Sequence, residues 1–259
     1  IEGVQFVGIC DLVEARVRKS EAAVTKFGHT PKLYFGDENG WRAMLAETKP
    51  DAVFIATPWS THAPMAIASM KAGAHAFVEV PMATTVKDLW EIVDTSEATG
   101  RHCMMMENVN YGREELLYLN MVRQGVLGDL LHAEAAYIHA LRFQMENGDS
   151  TGSWRTFEYA KRNGNLYPTH GLGPVAQYMN LARGEDNFGR ISSFSSPAKG
   201  RAAYAQKSTK LTTPKFKELD FKGGDINTSI IKTQLGRTIM IQWDETTPRP
   251  YTRLNMIQG

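Results

Sequence analysis

Ala52-Val53-Phe54-Ile55-Ala56-Thr57-Pro58-Trp59-Ser60-Thr61-His62 is the stretch on which the fold of this chain turns. Its first five residues are apolar without a break and show neither helical nor alternating spacing. A run that short and continuous suits a strand buried on both faces, as in a parallel sheet. After Thr57-Pro58 a helical pattern runs from Met65 to Ala72 and stops at Gly73, the residue that best tolerates the left-handed conformation past a helix end. His75 to Val78 is the next strand. Strand, helix and strand at this spacing make a right-handed crossover unit.

The same alternation extends both ways. Val4 to Cys10 reads as a strand, Leu12 to Phe27 as a helix, Leu33 to Phe35 as a strand and Trp41 to Glu47 as a helix. Val86 to Ala98 is helical and ends before Gly100, and Cys103 to Met106 is a strand. Past Met106 the pattern changes. A helix from Glu114 to Gln124 leads to a longer strand, Leu130 to Leu141, and then to a polar stretch, Met145 to Arg162, with the composition of an active-site loop. A helix over Pro168 to Leu181 follows, then strands at Arg190–Ser195, Asn227–Leu235, Thr238–Trp243 and Thr252–Ile257, with Gly236-Arg237 as a hairpin turn. Lys199 to Gly224 shows no clear pattern. The expected fold is α/β: a Rossmann-like parallel-sheet domain over 1–110, then an α+β domain over 111–259 with an open, largely antiparallel sheet.

Bulk properties narrow the function. A length of 259 residues allows two domains or one large one, and 42 % hydrophobic with 22 % charged residues is ordinary for a globular protein. A formal charge of +1 without a basic run speaks against nucleic acid and anionic membranes as partners. No apolar run reaches the roughly 18 residues of a membrane span. Cys10 and Cys103 each lie in or beside an apolar strand, as reduced buried thiols do. The sequence starts inside a strand without an initiator Met, so the compartment is unassigned and an upstream export signal stays open. Self-association into a homo-oligomer stays open too.

Polar residues recur where strands end. Asp11 either accepts hydrogen bonds from an adenosine ribose, which would favour NAD over NADP, or caps the helix that follows. Gly3 and Gly8 do not form G-x-G-x-x-G, so the first strand and phosphate loop of a dinucleotide fold are missing from the sequence. Thr57 to His62, Glu79-Val80-Pro81 and Glu107-Asn108 lie at successive carboxyl ends of strands, where open α/β sheets bind ligands. Tyr137 and His139 alternate on one strand and share a face. Tyr167 and His170, three apart at a helix start, can converge. Each pair is either ordinary polar packing or part of a site. Trp154-Arg155 suits a sugar subsite or a surface pair. No H-E-x-x-H or similar spacing calls for a metal.

Residues 4–110 resemble the nucleotide domain of the Gfo/Idh/MocA-type oxidoreductases through Asp11, Thr-Pro-x-x-x-His at 57–62 and Glu-x-Pro at 79–81. Val80 stands where those enzymes carry a catalytic lysine. A closer resemblance is to a branch of that superfamily, the NAD-dependent α-N-acetylgalactosaminidases. It rests on Trp59-Ser60-Thr61-His62, Glu79-Val80-Pro81, Glu107-Asn108 with Tyr111-Gly112, Ala136-Tyr137-Ile138-His139, Gly164 to Gly171 and Pro248-Arg249-Pro250-Tyr251. That family also has an upstream phosphate loop and a further C-terminal portion. The resemblance implies cofactor contacts at Asp11, Trp59, Ser60, Thr61, His62, Glu79, Val80, Asn108 and Tyr167. It implies sugar contacts at Tyr137, Arg155, Tyr167, Pro168, Thr169, His170 and Tyr251, and functional weight on Glu107, Tyr137, His139, Tyr167 and His170.

The function so implied is cleavage of terminal α-linked N-acetylgalactosamine from a glycan or small glycoside. The route is transient C3 oxidation, elimination, water addition and re-reduction, with NAD as cofactor. His170 and Tyr137 are the expected proton-transfer groups, with Glu107, Tyr167 and His139 orienting or polarising. The alternative is an NAD-dependent sugar or polyol dehydrogenase. Val80 opposes it, and so does Leu166, where such enzymes often place an Asp four residues before the helix histidine.

Overall fold

Parallel pairing organises the N-terminal part and a mixed sheet the C-terminal part. The structure is a computed structural model and describes residues 2–108, 110–148 and 152–259. It divides into two compact units, Ile1–Met106 and Glu107–Gly259, so Glu107 belongs with the second.

In the first unit β1 (Gly8–Asp11) pairs in parallel with β2 (Lys32–Phe35), flanked by α1 (Glu14–Thr25) and α2 (Gly40–Thr48). A second parallel sheet runs β3 (Ala52–Ile55), β4 (His75–Val78), β5 (Cys103–Met105), with α3 (Trp59–Lys71) and α4 (Val86–Thr99) in the connections. Ile55, Ala76 and Val78 pack against Ala63, Ala66, Ile67, Met70 and Ile92, and the alanines on α3 let that helix lie close to the sheet. Thr85 caps α4 by accepting the Asp88 N–H at 3.1 Å, and Gly100, at φ 65°, ends it. This is the Rossmann-like arrangement the alternation predicts. Cys10 and Cys103 are free thiols, and burial pushes the Cys103 thiol up to about 11.

Three local expectations change. Among the described residues β3 pairs on one side only, with β4, so the apolar run expected to be buried leaves Phe54 67 % exposed and stacked on Phe77. Val13, not Asp11, takes the N-cap position of α1, and Asp11 Oδ1 instead accepts the Val13 N–H at 2.8 Å. Helix α3 begins at Trp59, well before the apolar pattern becomes periodic at Met65, because Pro58 is already held at a φ of −61° compatible with entry into a helix.

The second unit opens with α5 (Arg113–Arg123) and β6 (His132–Ile138), followed by α6 (Gly152–Lys161), α7 (Thr169–Tyr178), β7 (Phe188–Ser195), α8 (Gly200–Lys207), β8 (Ile226–Thr233), β9 (Thr238–Asp244) and β10 (Asn255–Gln258). The sheet order is β10-β6-β9-β8-β7, open at both edges; only β6 and β9 are parallel neighbours. Gly236, at φ 93°, makes the β8–β9 hairpin turn as expected. Residues 142–162 are not one loop. A 3-10 helix (Arg142–Glu146) is followed by α6, whose buried stripe of Gly152, Thr156, Tyr159 and Ala160 is too weakly apolar to show as a helical pattern; residues 149–151 of that stretch lie outside the described residues. The unpatterned 199–224 segment holds α8 and a 3-10 helix (Pro214–Glu218) that buries Phe216 completely. Strand β6 stops at Ile138, but the N–H groups of His139 and Leu141 still bond the carbonyls of Asp244 and Glu245, at 2.7 and 3.0 Å.

Helix α7 lies on this sheet, with Val175, Tyr178 and Met179 packed against Ala133, Ala135, Ile239 and Ile241. The contact is closest at Gly171, where an added Cβ would stand 2.9 Å from Ala135 Cβ and 3.1 Å from the Ala136 nitrogen. Gly171→Ala should therefore force α7 off β6, at about 1–3 kcal/mol for an overpacked contact. The expected reading is a Tm lower by roughly 2–10 °C in thermal unfolding followed by circular dichroism. An unchanged Tm would mean that the helix does not approach the strand this closely.

Candidate active site

Strand β6, the start of α7 and the chain just past β5 and β9 converge in the second unit. Tyr137 is the last but one residue of β6, and His139 follows the strand; their side chains meet, Tyr137 Oη to His139 Nδ1, at 3.0 Å. Tyr167 precedes α7 and His170 lies in its first turn, so their rings stack at 5.1 Å with 13° between planes. The His170 ring stands edge-on to Tyr137 at 4.5 Å, and Tyr167 lies 5.8 Å from Tyr137. Glu107 accepts a hydrogen bond from His170 Nδ1, with both side chains buried. The second Glu107 oxygen, Oε2, has no partner among the described residues. Arg155, on α6, lies 5.2 Å over the Tyr167 ring, and Tyr251 lies 4.9 Å from His139. Pro168 occupies the N-cap position of α7 and Thr169 begins it.

Electrostatics divide these groups. The Tyr137 phenol is pushed well above its usual value, chiefly by burial and next by the Glu245 carboxylate, with Arg253 and Arg155 opposing. Tyr137 is thus a proton donor at neutral pH. His139 is lowered, chiefly by burial; Glu245 opposes, while Arg253 and His170 add to the fall. Its imidazole is neutral at pH 7, and in that form its Nδ1 accepts the Tyr137 hydroxyl or, in the other tautomer, donates to Tyr137 Oη.

The sequence reading did not single out four residues of this cluster. Arg253 spans it: its guanidinium lies 5.0 Å over Tyr137, Nε donates to Tyr251 Oη at 2.7 Å, and Nη1 donates to Asn108 Oδ1 at 2.8 Å. The alternation Tyr251-Thr252-Arg253 was a usable signal, since it puts both side chains on one face. Glu245 is wholly buried, takes the Tyr159 hydroxyl and lies 3.4 Å from Arg201, whose guanidinium stacks 3.6 Å over the Tyr159 ring. Nothing local in the sequence marked these three; they meet from α6, α8 and the end of β9.

The remaining residues lie in the first unit, at the carboxyl ends of its strands. Asp11 ends β1 with its side chain 35 % exposed, and Arg16 is 3.8 Å away. Trp59 to His62 form the first turn of α3: Trp59 is buried, Ser60 exposed, and Thr61 Oγ1 bonds Thr57 Oγ1 at 2.6 Å and the Pro58 carbonyl at 2.7 Å. Glu79 is exposed after β4, and Val80 is buried and joined to Pro81 by a cis peptide bond. Asn108, grouped with these residues as a cofactor contact, lies in the second unit, where its Oδ1 accepts from Arg253. Among the described residues no helix is long and apolar enough to cross a membrane.

Residues 2–107 match the oxidoreductase family with an NAD-binding Rossmann fold, and residues 111–259 match the C-terminal domain of glycosyl hydrolase 109. The chain is 62 % identical over 261 aligned residues to glycosyl hydrolase family 109 protein 1 of Akkermansia muciniphila, with all of this chain and 54 % of that protein covered. It is 58 % identical to a glycosyl hydrolase family 109 protein of Shewanella sp. strain W3-18-1, again over the whole chain and 56 % of the relative. It thus spans about half the length of these curated relatives. Among solved structures, an inositol dehydrogenase homolog from Azotobacter vinelandii complexed with NAD+ aligns with a TM-score of 0.73 at 15 % identity, covering 99 % of this chain and 61 % of that one. The WlbA dehydrogenase of Bordetella pertussis, in complex with NADH and UDP-GlcNAcA, aligns with a TM-score of 0.70 at 18 % identity, covering 98 % and 68 %. At such identities these two structures bear on the fold alone, whereas the match over the second unit decides the family: the chain belongs to glycosyl hydrolase family 109.

Proposed function

We propose that the full-length protein is an NAD-dependent glycoside hydrolase that releases terminal α-linked N-acetylgalactosamine. The observation that carries the reading is the buried Glu107–His170 pair with the neutral Tyr137 phenol against its ring. Most glycosidases flank the scissile bond with two carboxyl groups. Here Glu107 and Glu245 are 4 % and 0 % exposed, one engaged by His170 and the other by Tyr159 and Arg201. Each is shut off from water and engaged through one oxygen, which favours imidazole and phenol as the proton carriers.

The first unit has a donor set suited to NAD. The Asp11 carboxylate would take the adenosine ribose hydroxyls, and Trp59, Ser60, Thr61, Glu79 and Val80 would line the nicotinamide end. When bound, NAD supplies the transient oxidation and re-reduction at sugar C3 that makes the C2 proton acidic. Glu107 holds His170 through Nδ1–H, which leaves the Nε2 lone pair to take the C2 proton, and the carboxylate stabilises the imidazolium that forms. Tyr137 Oη–H donates to the oxygen leaving C1, with His139 in the tautomer whose Nδ1–H donates to Tyr137 Oη and leaves the phenol proton free. Tyr251, Arg155, Tyr167, Pro168 and Thr169 would surround the sugar. Val80 cannot move a proton, which fits a reaction that needs no lysine-assisted net oxidation of a hydroxyl.

Incubating the full-length protein and NAD with an α-N-acetylgalactosaminide should release the aglycone with no net NADH absorbance. Stoichiometric NADH from free sugar, at rates matching glycoside cleavage, would make it a dehydrogenase instead. His170→Ala should cost about 10²–10⁴-fold in kcat, with Tm close to wild type. A parallel fall of Tm and activity would reduce His170 to a structural residue.

A further inference from the structure

Tyr251-Thr252-Arg253 runs antiparallel to the end of β6. The backbones of Thr252 and Ile138 exchange two N–H to carbonyl bonds, each 3.0 Å, and the Ala136 N–H bonds the Leu254 carbonyl at 2.9 Å. That register sets Arg253 opposite Tyr137 and Tyr251 opposite His139, with all four side chains on one face. The contacts follow it: the Arg253 guanidinium lies 5.0 Å over the Tyr137 ring, and the Tyr251 ring stands edge-on to His139 at 4.9 Å. Along each strand the two side chains are joined again, Tyr137 Oη with His139 Nδ1 at 3.0 Å and Arg253 Nε with Tyr251 Oη at 2.7 Å. The four groups close a circuit.

One bond of the circuit has a fixed direction. An imidazole nitrogen can donate or accept, but a guanidinium only donates. The Tyr251 oxygen is therefore the acceptor, and its own proton points elsewhere. Tyr251 is 56 % exposed, and its hydroxyl has no acceptor among the described residues. We infer that Arg253 is a positioning residue that fixes Tyr251 as a hydrogen-bond donor toward an oxygen of the bound sugar. This rests on the reading of the Tyr137 face as the sugar site. Arg253 is itself held at a second point, where Nη1 donates to Asn108 Oδ1 at 2.8 Å. A planar fork can serve two acceptors while lying on a third residue's ring. An ammonium on a flexible stem keeps the charge but not that geometry.

The full-length protein with NAD and 4-nitrophenyl α-N-acetylgalactosaminide provides the test. Tyr251→Phe and Arg253→Lys should each raise KM about tenfold, the loss of one hydrogen bond to a bound ligand, and lower kcat by less than that. The double variant should show a KM no higher than that of Tyr251→Phe, because Arg253 acts through the hydroxyl that phenylalanine lacks. Increases in KM that multiply in the double variant would overturn the inference, and so would a wild-type KM for Arg253→Lys. A second arm does not depend on turnover. In a crystal structure of Arg253→Lys the Tyr251 ring should leave its place beside His139; a Tyr251 side chain in its original position would end the positioning role. If the lysine variant does not fold, Arg253→Gln replaces it in both arms. Wild-type protein that leaves the glycoside intact would refute the sugar reading, and with it the sugar oxygen as the recipient of the Tyr251 proton; the crystal structure then decides the Arg253–Tyr251 link alone.

Discussion

Everything in the candidate active site depends on how closely α7 lies on β6. Helices normally keep about 8–10 Å between axes when side chains intervene, and larger side chains at the contact would keep α7 away from the sheet. Gly171 over Ala135 removes that obstacle. The consequence lies one residue away: His170 comes down edge-on to Tyr137, and Tyr167, a turn earlier, stacks on His170. A helix held off by a methyl group would leave the imidazole out of reach of the phenol and would pull His170 from Glu107. Packing and chemistry are therefore the same constraint seen from two sides.

Burial then sets what those groups do. Tyr137 and His139 are shifted first by loss of water, in opposite directions, because desolvation penalises the charged form of each. Glu245 modulates both from beneath, and Arg201 and Tyr159 hold that carboxylate where water cannot reach it. A lone buried carboxylate would be costly, and Glu245 is paired with a guanidinium and a phenol hydroxyl. Arg253, 5.0 Å over the Tyr137 ring, opposes the rise that burial and Glu245 cause. A cluster of phenol and imidazole groups assembled this way differs from the two carboxyl groups that flank the bond in most glycosidases.

The first unit solves a different problem. Its candidate cofactor residues lie on loops past the ends of short strands, where the sheet no longer holds the backbone. Thr61 bonds back to Thr57 and Pro58, and His62 reaches the Thr57 and Pro81 carbonyls, so the turn after β3 is tied down by side chains of the helix it leads into. Val80, at the position where the oxidoreductases carry lysine, is buried beside Pro81.

Particular elements separate what was legible in the sequence from what was not. The apolar run 52–56, the helix stops at Gly73 and Gly100 and the hairpin at Gly236 are local: they follow from hydrophobic period and from the φ that glycine alone adopts cheaply, and they determined the parallel-sheet unit and the strand-rich second one. Tyr137, His139, Tyr167 and His170 were visible as pairs because both spacings lie within one element. Their union into one cluster was not, since residues 30 positions apart meet only when α7 docks on β6. Helix α6 escaped notice because its buried stripe is glycine, threonine and tyrosine, and the edge position of β3 escaped it because an apolar run does not reveal how many neighbours it pairs with. Glu245, Arg201 and Tyr159 come from three distant segments, and His62 shows its two carbonyl partners only in three dimensions. The sequence determined which elements form and which groups they carry; tertiary structure alone decided which groups touch and are shut off from water, because both depend on contacts between residues far apart in the chain.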